Sequence, residues 1–163
     1  MTAVLRSLAL SVAALALAAG CEGPSGGCGP AEGTVVEVVD GDTVVLASGE
    51  KIRYLLVDTP EITKGNDECY GQEAAAFNKS MVLDQKVSLT YDVECTDRYG
   101  RVLAYVSFNG REVNSLLVER GFGCVMHIAP NGEGRVEELE ELETAARDAG
   151  KGVWACEELP CGD

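Results

Sequence analysis

Histidine is almost missing from this chain: His127 is the only one in 163 residues. A lone imidazole cannot build a multi-histidine metal centre, and isolated histidines mostly serve packing or surface roles, so His127 is not expected to act as the base of a catalytic site. No close Cys-x-x-Cys pair occurs either, which removes the usual zinc framework. Basic residues are scarce, with 13 Lys and Arg against 27 Asp and Glu and a net charge of −14. Such a chain lacks the broad basic patch that drives loose binding to polyanions by counterion release. Internal repeats are absent, so a solenoid is excluded. The apolar run Leu8 to Ala19 is shorter than the roughly 20 residues that cross a bilayer as a helix.

That run has its own meaning. Arg6 supplies a positive start, and Ala18-Ala19-Gly20 gives a small-residue end directly before Cys21, which is the layout of an export signal. Because the cleavage-type site leads into cysteine, residues 1–20 look like a bacterial lipoprotein signal. Cys21 would then carry the lipid, and the protein would be exported and membrane-anchored in the bacterial envelope, or secreted if Cys21 stays unlipidated. Ala18 departs from the larger aliphatic that is commoner at its position. Removing the signal takes away one base and no acid, deepening the negative charge by one unit.

Residues 21–30 are rich in Gly, Pro and Ser and should serve as a tether, since they cannot bury enough apolar surface to fold. Residues 31–156 have the length of one domain with one core, followed by a short tail, 157–163. Setting Cys21 aside leaves six cysteines, Cys28, Cys69, Cys95, Cys124, Cys156 and Cys161. An even number in an exported chain suits three disulfides, with fifteen pairings open to sequence alone.

Within the domain, β-branched runs at Thr34–Val39, Thr43–Leu46 and Lys51–Val57 are separated by Asp40-Gly41 and Ser48-Gly49-Glu50 and predict a three-stranded meander. Gln72–Val82 has helix-favouring composition, and Val87, Leu89 and Tyr91 alternate as in a strand. A strand is predicted over Arg101–Phe108, ended by Asn109-Gly110. A short helix follows over Asn114–Arg120, then a strand over Phe122–Ile128 and an acidic helix over Val136–Ala149. Periodicity alone yields a mixed α and β domain.

Three segments concentrate polar chemistry: Asp40-Gly41-Asp42-Thr43, then Arg53 with Asp58-Thr59-Pro60-Glu61, then Asp97-Arg98-Tyr99-Gly100-Arg101. Carboxylates offer hard oxygen ligands for a cation such as calcium, and the planar guanidinium matches phosphate geometry. Arg53 lies in an otherwise apolar strand and needs an anion beside it; a phosphate or a structural salt bridge would meet that need equally. Asp40 and Asp42 also suit a solvated turn, and Glu61 an exposed loop charge.

The stretches VDGDTVVL (39–46), IRYLLVDTPE (52–61) and TDRYGRVLAYV (96–106), with YGQEAAAF (70–77), VNSLLVERG (113–121) and GVW ending at Trp154, resemble the staphylococcal nuclease (thermonuclease) family in order and spacing. The likeness runs from about Gly33 to Trp154. It implies an α+β fold, a five-stranded OB-fold β-barrel with about three helices. It also implies a calcium-dependent phosphodiesterase that hydrolyses DNA and RNA by water attack at phosphorus and leaves 3′-phosphates. By the same correspondence Asp42, Asp58 and the Thr59 carbonyl are metal ligands, and Arg53 and Arg101 neutralise phosphoryl charge. Glu61 positions or deprotonates the attacking water, Tyr99 matches a family tyrosine that bonds a terminal phosphate, and Arg98, standing where a lysine is usual, joins it in binding nucleotide at that edge.

The family's pair of stacking tyrosines is missing near Met126–Pro130, where His127 is the candidate to take over one stacking role. Single strands are the favoured substrate, and a monomer is expected. In the family fold the strand holding Cys124 lies near the segment after Trp154, which suggests Cys124–Cys156 as one disulfide. The alternative is a nucleic-acid-binding OB-type domain without catalysis, on an envelope lipoprotein. A purely structural, disulfide-stapled lipoprotein accounts for the cysteines but leaves the acids and arginines without purpose.

Overall fold

The computed structural model describes residues 27–62 and 67–160; the expected signal, Cys21 and Cys161 lie outside the described residues. Six strands and three helices follow in the order β1 (Glu32–Val38), β2 (Thr43–Leu46), β3 (Lys51–Tyr54), α1 (Gly71–Val82), β4 (Lys86–Thr90), β5 (Val102–Phe108), β6 (Arg111–Glu112), α2 (Val113–Glu119) and α3 (Val136–Asp148). A 3-10 turn, Gly152–Ala155, closes the described chain.

The predicted meander is present. β2 pairs antiparallel with both β1 and β3, and β1 pairs on its other side with β4, which pairs with β5. A parallel pairing of β3 with β5, Arg53 opposite Leu103, then closes the sheet on itself. Closure abolishes the open edges that a flat sheet would present. The result is the five-stranded barrel that the resemblance implied, with β6 adding only a short hairpin arm to β5. Val35, Val44, Leu46, Ile52, Val87 and Val106 fill its interior with almost no exposure. Each such side chain contributes about 1.5–3 kcal/mol by leaving water. In β4 the alternation of buried Val87 and Leu89 with exposed neighbours is the period-2 pattern that made the strand legible.

Asn114 locks α2 to the closure. Its amide nitrogen donates to Leu55 O at 2.8 Å and Ala104 O at 3.3 Å, and its oxygen accepts from Val106 N at 2.9 Å. A fully buried amide is tolerable because both of its ends are bonded.

Two predicted strands are corrected. The third ends at Tyr54 instead of Val57, because Leu56 adopts a left-handed φ of 59° while remaining buried. That conformation is uncommon for a bulky side chain, and it turns the chain out of the ladder just before Asp58. Phe122–Ile128 is not a strand: its ladder pairing is a single bridge, Cys124 with Asp58. Val125 N instead donates to the Glu143 carboxylate at 2.8 Å, so α3 takes the place of a neighbouring strand. Glu143 is thereby also an exception to the otherwise solvated acidic face of that helix.

The disulfides differ from the expected pair. Cys28 bonds Cys95, Cys69 bonds Cys156, and Cys124 is itself disulfide-bonded. Cys124 is held by reciprocal 2.8 Å backbone hydrogen bonds with Asp58. Cys156 leaves the 3-10 turn toward the residues that open α1, with its Cα 6.2 Å from that of Cys69. The two bridges close separations of 67 and 87 residues, which corresponds to about 4–5 kcal/mol each in the chain-entropy account.

Candidate active site

The β1–β2 turn is drawn against the segment after β3. A Cβ on Gly41 would stand 2.6 Å from Thr59 Oγ1 and 2.7 Å from its Cβ, so only glycine permits this approach. Asp42 gains most from it: its Oδ2 accepts from Thr59 N at 2.8 Å and from Thr59 Oγ1 at 3.0 Å, and its Oδ1 accepts from Thr43 Oγ1 at 3.0 Å. The turn itself is tied down by Asp40, whose Oδ1 accepts from Asp42 N at 3.1 Å.

Arg53 sits between two carboxylates. Its Nε lies 3.1 Å from Asp42 Oδ1 and its NH2 2.6 Å from Asp58 Oδ1. NH1 donates to Tyr54 O at 2.7 Å and Val57 O at 2.5 Å, bonds that the Leu56 turn makes possible by folding Val57 back. The guanidinium is only a tenth exposed, so its anions resolve the cost that its place in an apolar strand implied.

One cation serves several acids here. Burial above all, with Asp42 as a second cause, raises the Asp40 carboxyl from its ordinary 3.8 to about 6. Burial likewise raises Asp58 to about 6, with Arg53 opposing it and Asp42 and Glu61 adding to it. Local negative charge is thus in excess, the condition under which a further cation is welcome.

An open pocket of about 680 Å³ faces this cluster. Its lining brings together Arg53, Asp58, Glu61, Arg98, Tyr99 and Arg101. Asp42 and Thr59 are buried beside Arg53 and Asp58 instead of lining it. His127 is exposed and does not line it, whereas its neighbours Met126 and Ile128 do.

The Asp97–Arg101 turn carries the opposite wall. Asp97 Oδ1 accepts from Tyr99 N at 2.9 Å and Arg101 N at 3.0 Å, and Oδ2 accepts from Arg101 Nε at 2.6 Å. Burial alone would raise the Asp97 carboxyl, but the Arg101 hydrogen bonds outweigh it and hold the group below its ordinary value. Arg98 and Arg101 both lie over the exposed Tyr99 ring, 4.8 Å and 5.5 Å from its centroid.

Sequence reasoning missed the supports. Tyr54 OH donates to Asn78 Oδ1 at 2.9 Å, and Asn78 Nδ2 donates to Asp40 O at 3.2 Å, so α1 buttresses the acidic turn through the barrel. The signal was present: Asn78 shares a four-residue spacing with Ala74 and Val82, all buried, and a polar residue on an apolar helical stripe needs a partner. Asn131 joins the pocket walls, its oxygen accepting from Glu94 N at 2.7 Å and its nitrogen donating to Glu94 O at 3.2 Å.

A closed OB barrel with acids and guanidiniums gathered at one open pocket defines a protein directed at phosphate-bearing ligands. The chain belongs to the staphylococcal nuclease family: the family described as "Staphylococcal nuclease homologue" matches residues 51–156. It is 36% identical over 126 residues to the Thermonuclease of Staphylococcus hyicus and 34% identical over 125 residues to that of Staphylococcus intermedius, in each case covering 74% of both chains. It is also 34% identical over 128 residues to Endonuclease YncB of Bacillus subtilis (strain 168), spanning 75% of this chain and 61% of that one.

Proposed function

We propose that this chain is a calcium-dependent nuclease that hydrolyses phosphodiester bonds of DNA and RNA, single strands preferentially, by attack of water at phosphorus. The observation that carries this reading is the convergence of Arg53, Asp58, Glu61 and Arg101 on one open pocket. Metal-ion use is general in the family, and the residues present fit a hard cation. Among the described residues no three His, Cys, Asp or Glu form a metal cluster, but the expected set needs only the Asp42 and Asp58 carboxylates and the Thr59 carbonyl, with water. Those carboxylates already converge on one positive centre, Arg53, and remain in excess of it.

When bound, calcium supplies positive charge that polarises the phosphoryl oxygens. Glu61, exposed at the pocket, accepts a proton from the attacking water. The new P–O bond forms as the bond to the 5′ oxygen breaks; that oxygen takes a proton from solvent, leaving a 3′-phosphate and a 5′-hydroxyl. Arg53 and Arg101 oppose the charge growing on the phosphoryl oxygens. Arg98 and Tyr99 offer a positive, aromatic edge to the polymer.

We place the protein in the bacterial envelope, held by lipid on Cys21 and acting as a monomer. The strongly acidic remainder then limits loose polymer binding to the neighbourhood of the pocket. The decisive experiment follows degradation of end-labelled single-stranded DNA and RNA with calcium and with chelator, and maps the product ends. Calcium-restored cleavage to 3′-phosphates is expected. Binding without cleavage at every calcium concentration would favour the non-catalytic barrel. Fractionation of cells expressing the wild type and Cys21→Ala checks the anchor, with release of the variant alone expected.

A further inference from the structure

Glu61 is held by its backbone while its side chain faces solvent. Its N–H donates to Glu68 Oε2 at 2.8 Å, and its carbonyl accepts from Glu68 N at 3.0 Å. These two bonds form a reciprocal ring across the connection 62–67. Glu68 is anchored in turn: its carbonyl accepts from Gly71 N at 3.0 Å, at the first residue of α1. Gly71 is pressed against the same place, since a Cβ there would stand 2.9 Å from Glu61 O and 3.1 Å from Pro60 O. Any side chain at Gly71 would push the Pro60–Glu61 backbone away. Tyr70, between them, takes a left-handed φ of 70°.

The next residue after Glu68 is covalently fixed. Cys69 bonds Cys156, at the end of the 3-10 turn. That turn is docked just past the C-terminal end of α2 through Val153 N, which donates to Gly121 O at 2.9 Å. Cys69 is exposed, so reductant can reach the bridge.

We infer that Glu68 is a positioning residue for the Glu61 carboxylate and that the Cys69–Cys156 disulfide holds Glu68 in place, so that turnover depends on the oxidised state of this bridge. The inference rests on the reading of Glu61 as the group that handles the attacking water. The physical reason is one of aim. Glu61 is separated from the end of β3 by a turn and Pro60, and its side chain is exposed, so backbone contacts must set its direction. A displacement of about 1 Å in such a group can cost on the order of 10²-fold in rate.

The test compares Glu68→Ala with Glu68→Gln at saturating calcium. Alanine removes both the acceptor and the charge, whereas glutamine keeps the acceptor oxygen. Glu68→Ala is expected to lower kcat about tenfold with KM within twofold of wild type, and Glu68→Gln to restore it to within about threefold. The double variant Cys69→Ser/Cys156→Ser, which leaves the Cys28–Cys95 bridge intact, should lose a similar factor in kcat. In a Glu61→Gln background, Glu68→Ala should cause almost no further loss, because its effect travels through Glu61.

Full kcat in folded Glu68→Ala would overturn the inference. So would equal losses in Glu68→Ala and Glu68→Gln, which would indicate charge, or an undiminished loss in the Glu61→Gln background, which would indicate general damage. If Glu61→Gln itself turns over at the wild-type rate, the reading of Glu61 fails and the positioning role falls with it. If Glu61→Gln is crippled while the Glu68 variants are normal, only the positioning role fails. Circular dichroism checks folding throughout; full kcat in the folded double cysteine variant would overturn the dependence on the bridge, while the Glu68 variants test the positioning role independently of it.

Discussion

The two arginines of the pocket are held in opposite ways. Arg53 uses all three nitrogens on its own protein, contacting two carboxylates and two backbone carbonyls within the barrel wall. Arg101 commits only Nε, to Asp97; among the described residues its terminal nitrogens make no hydrogen bond or ion pair. The first is therefore as much a structural counter-charge as a phosphate ligand, while the second presents its fork to whatever enters. Their shared chemistry conceals a difference in how much of each belongs to the fold.

Removing Arg53 should produce the largest effect. Arg53→Leu leaves Asp42 and Asp58 without their cation and should destabilise the metal-free protein by about 3–5 kcal/mol, read by urea denaturation. Activity should vanish with it. A variant as stable as the wild type would erase the contrast between the arginines.

Arg101→Lys should do the reverse. Stability should change by less than about 0.5 kcal/mol, because the Asp97 turn keeps its backbone bonds. Turnover on single-stranded DNA should fall by about 10²–10³, since lysine keeps the charge but not the two-pronged contact. Near wild-type rates would remove Arg101 from the transition state.

The smallest effect is one of pH, and its sign differs between the walls. Asp40 and Asp58 are raised from 3.8 to about 6 in the folded protein. The stability they contribute is full below pH 4 and is lost as pH rises through 6. Asp97 is lowered, so its contribution is present above pH 4 and is lost only in stronger acid. The metal-free melting temperature should accordingly rise between pH 7 and pH 5. Asp58→Asn should flatten that rise, and Asp97→Asn should leave its slope unchanged over the same window. A wild-type melting temperature that falls between pH 7 and pH 5 would contradict the burial of these acids.

Much of this was legible because local pattern and global position agree. Val87 and Leu89 alternate because one face of β4 is buried, and Thr43–Leu46 reads as a strand because β-branched residues suit a barrel wall. Arg53 announced its need for an anion by standing among apolar residues. Phe122–Ile128 misled because its apolar residues are spent elsewhere, Phe122 stacked 4.8 Å from Phe77 of α1 and Met126 and Ile128 on the pocket wall, with no strand beside them beyond the Cys124 bridge. The disulfides were not legible, since pairing depends on where chain ends dock, and nothing near Cys69 or Cys156 in sequence reports their proximity. Glu68 was invisible for a similar reason: its role lies in a backbone contact with a residue seven places earlier, and no periodicity encodes that.

The parallel register of β3 and β5, with Arg53 opposite Leu103, also makes the pocket indifferent to contour length. Arg101 stands two residues before that partner, so the separation of the guanidiniums is set sideways, by ladder pairing, and not by the many residues that lie between them along the chain. Connections such as 62–67 can lengthen at only about 0.6 kcal/mol per doubling while both arginines stay where they are. Diversification of this enzyme therefore has room in its loops, whereas a one-residue slip between these two strands would put the two arginines on opposite faces of the barrel wall.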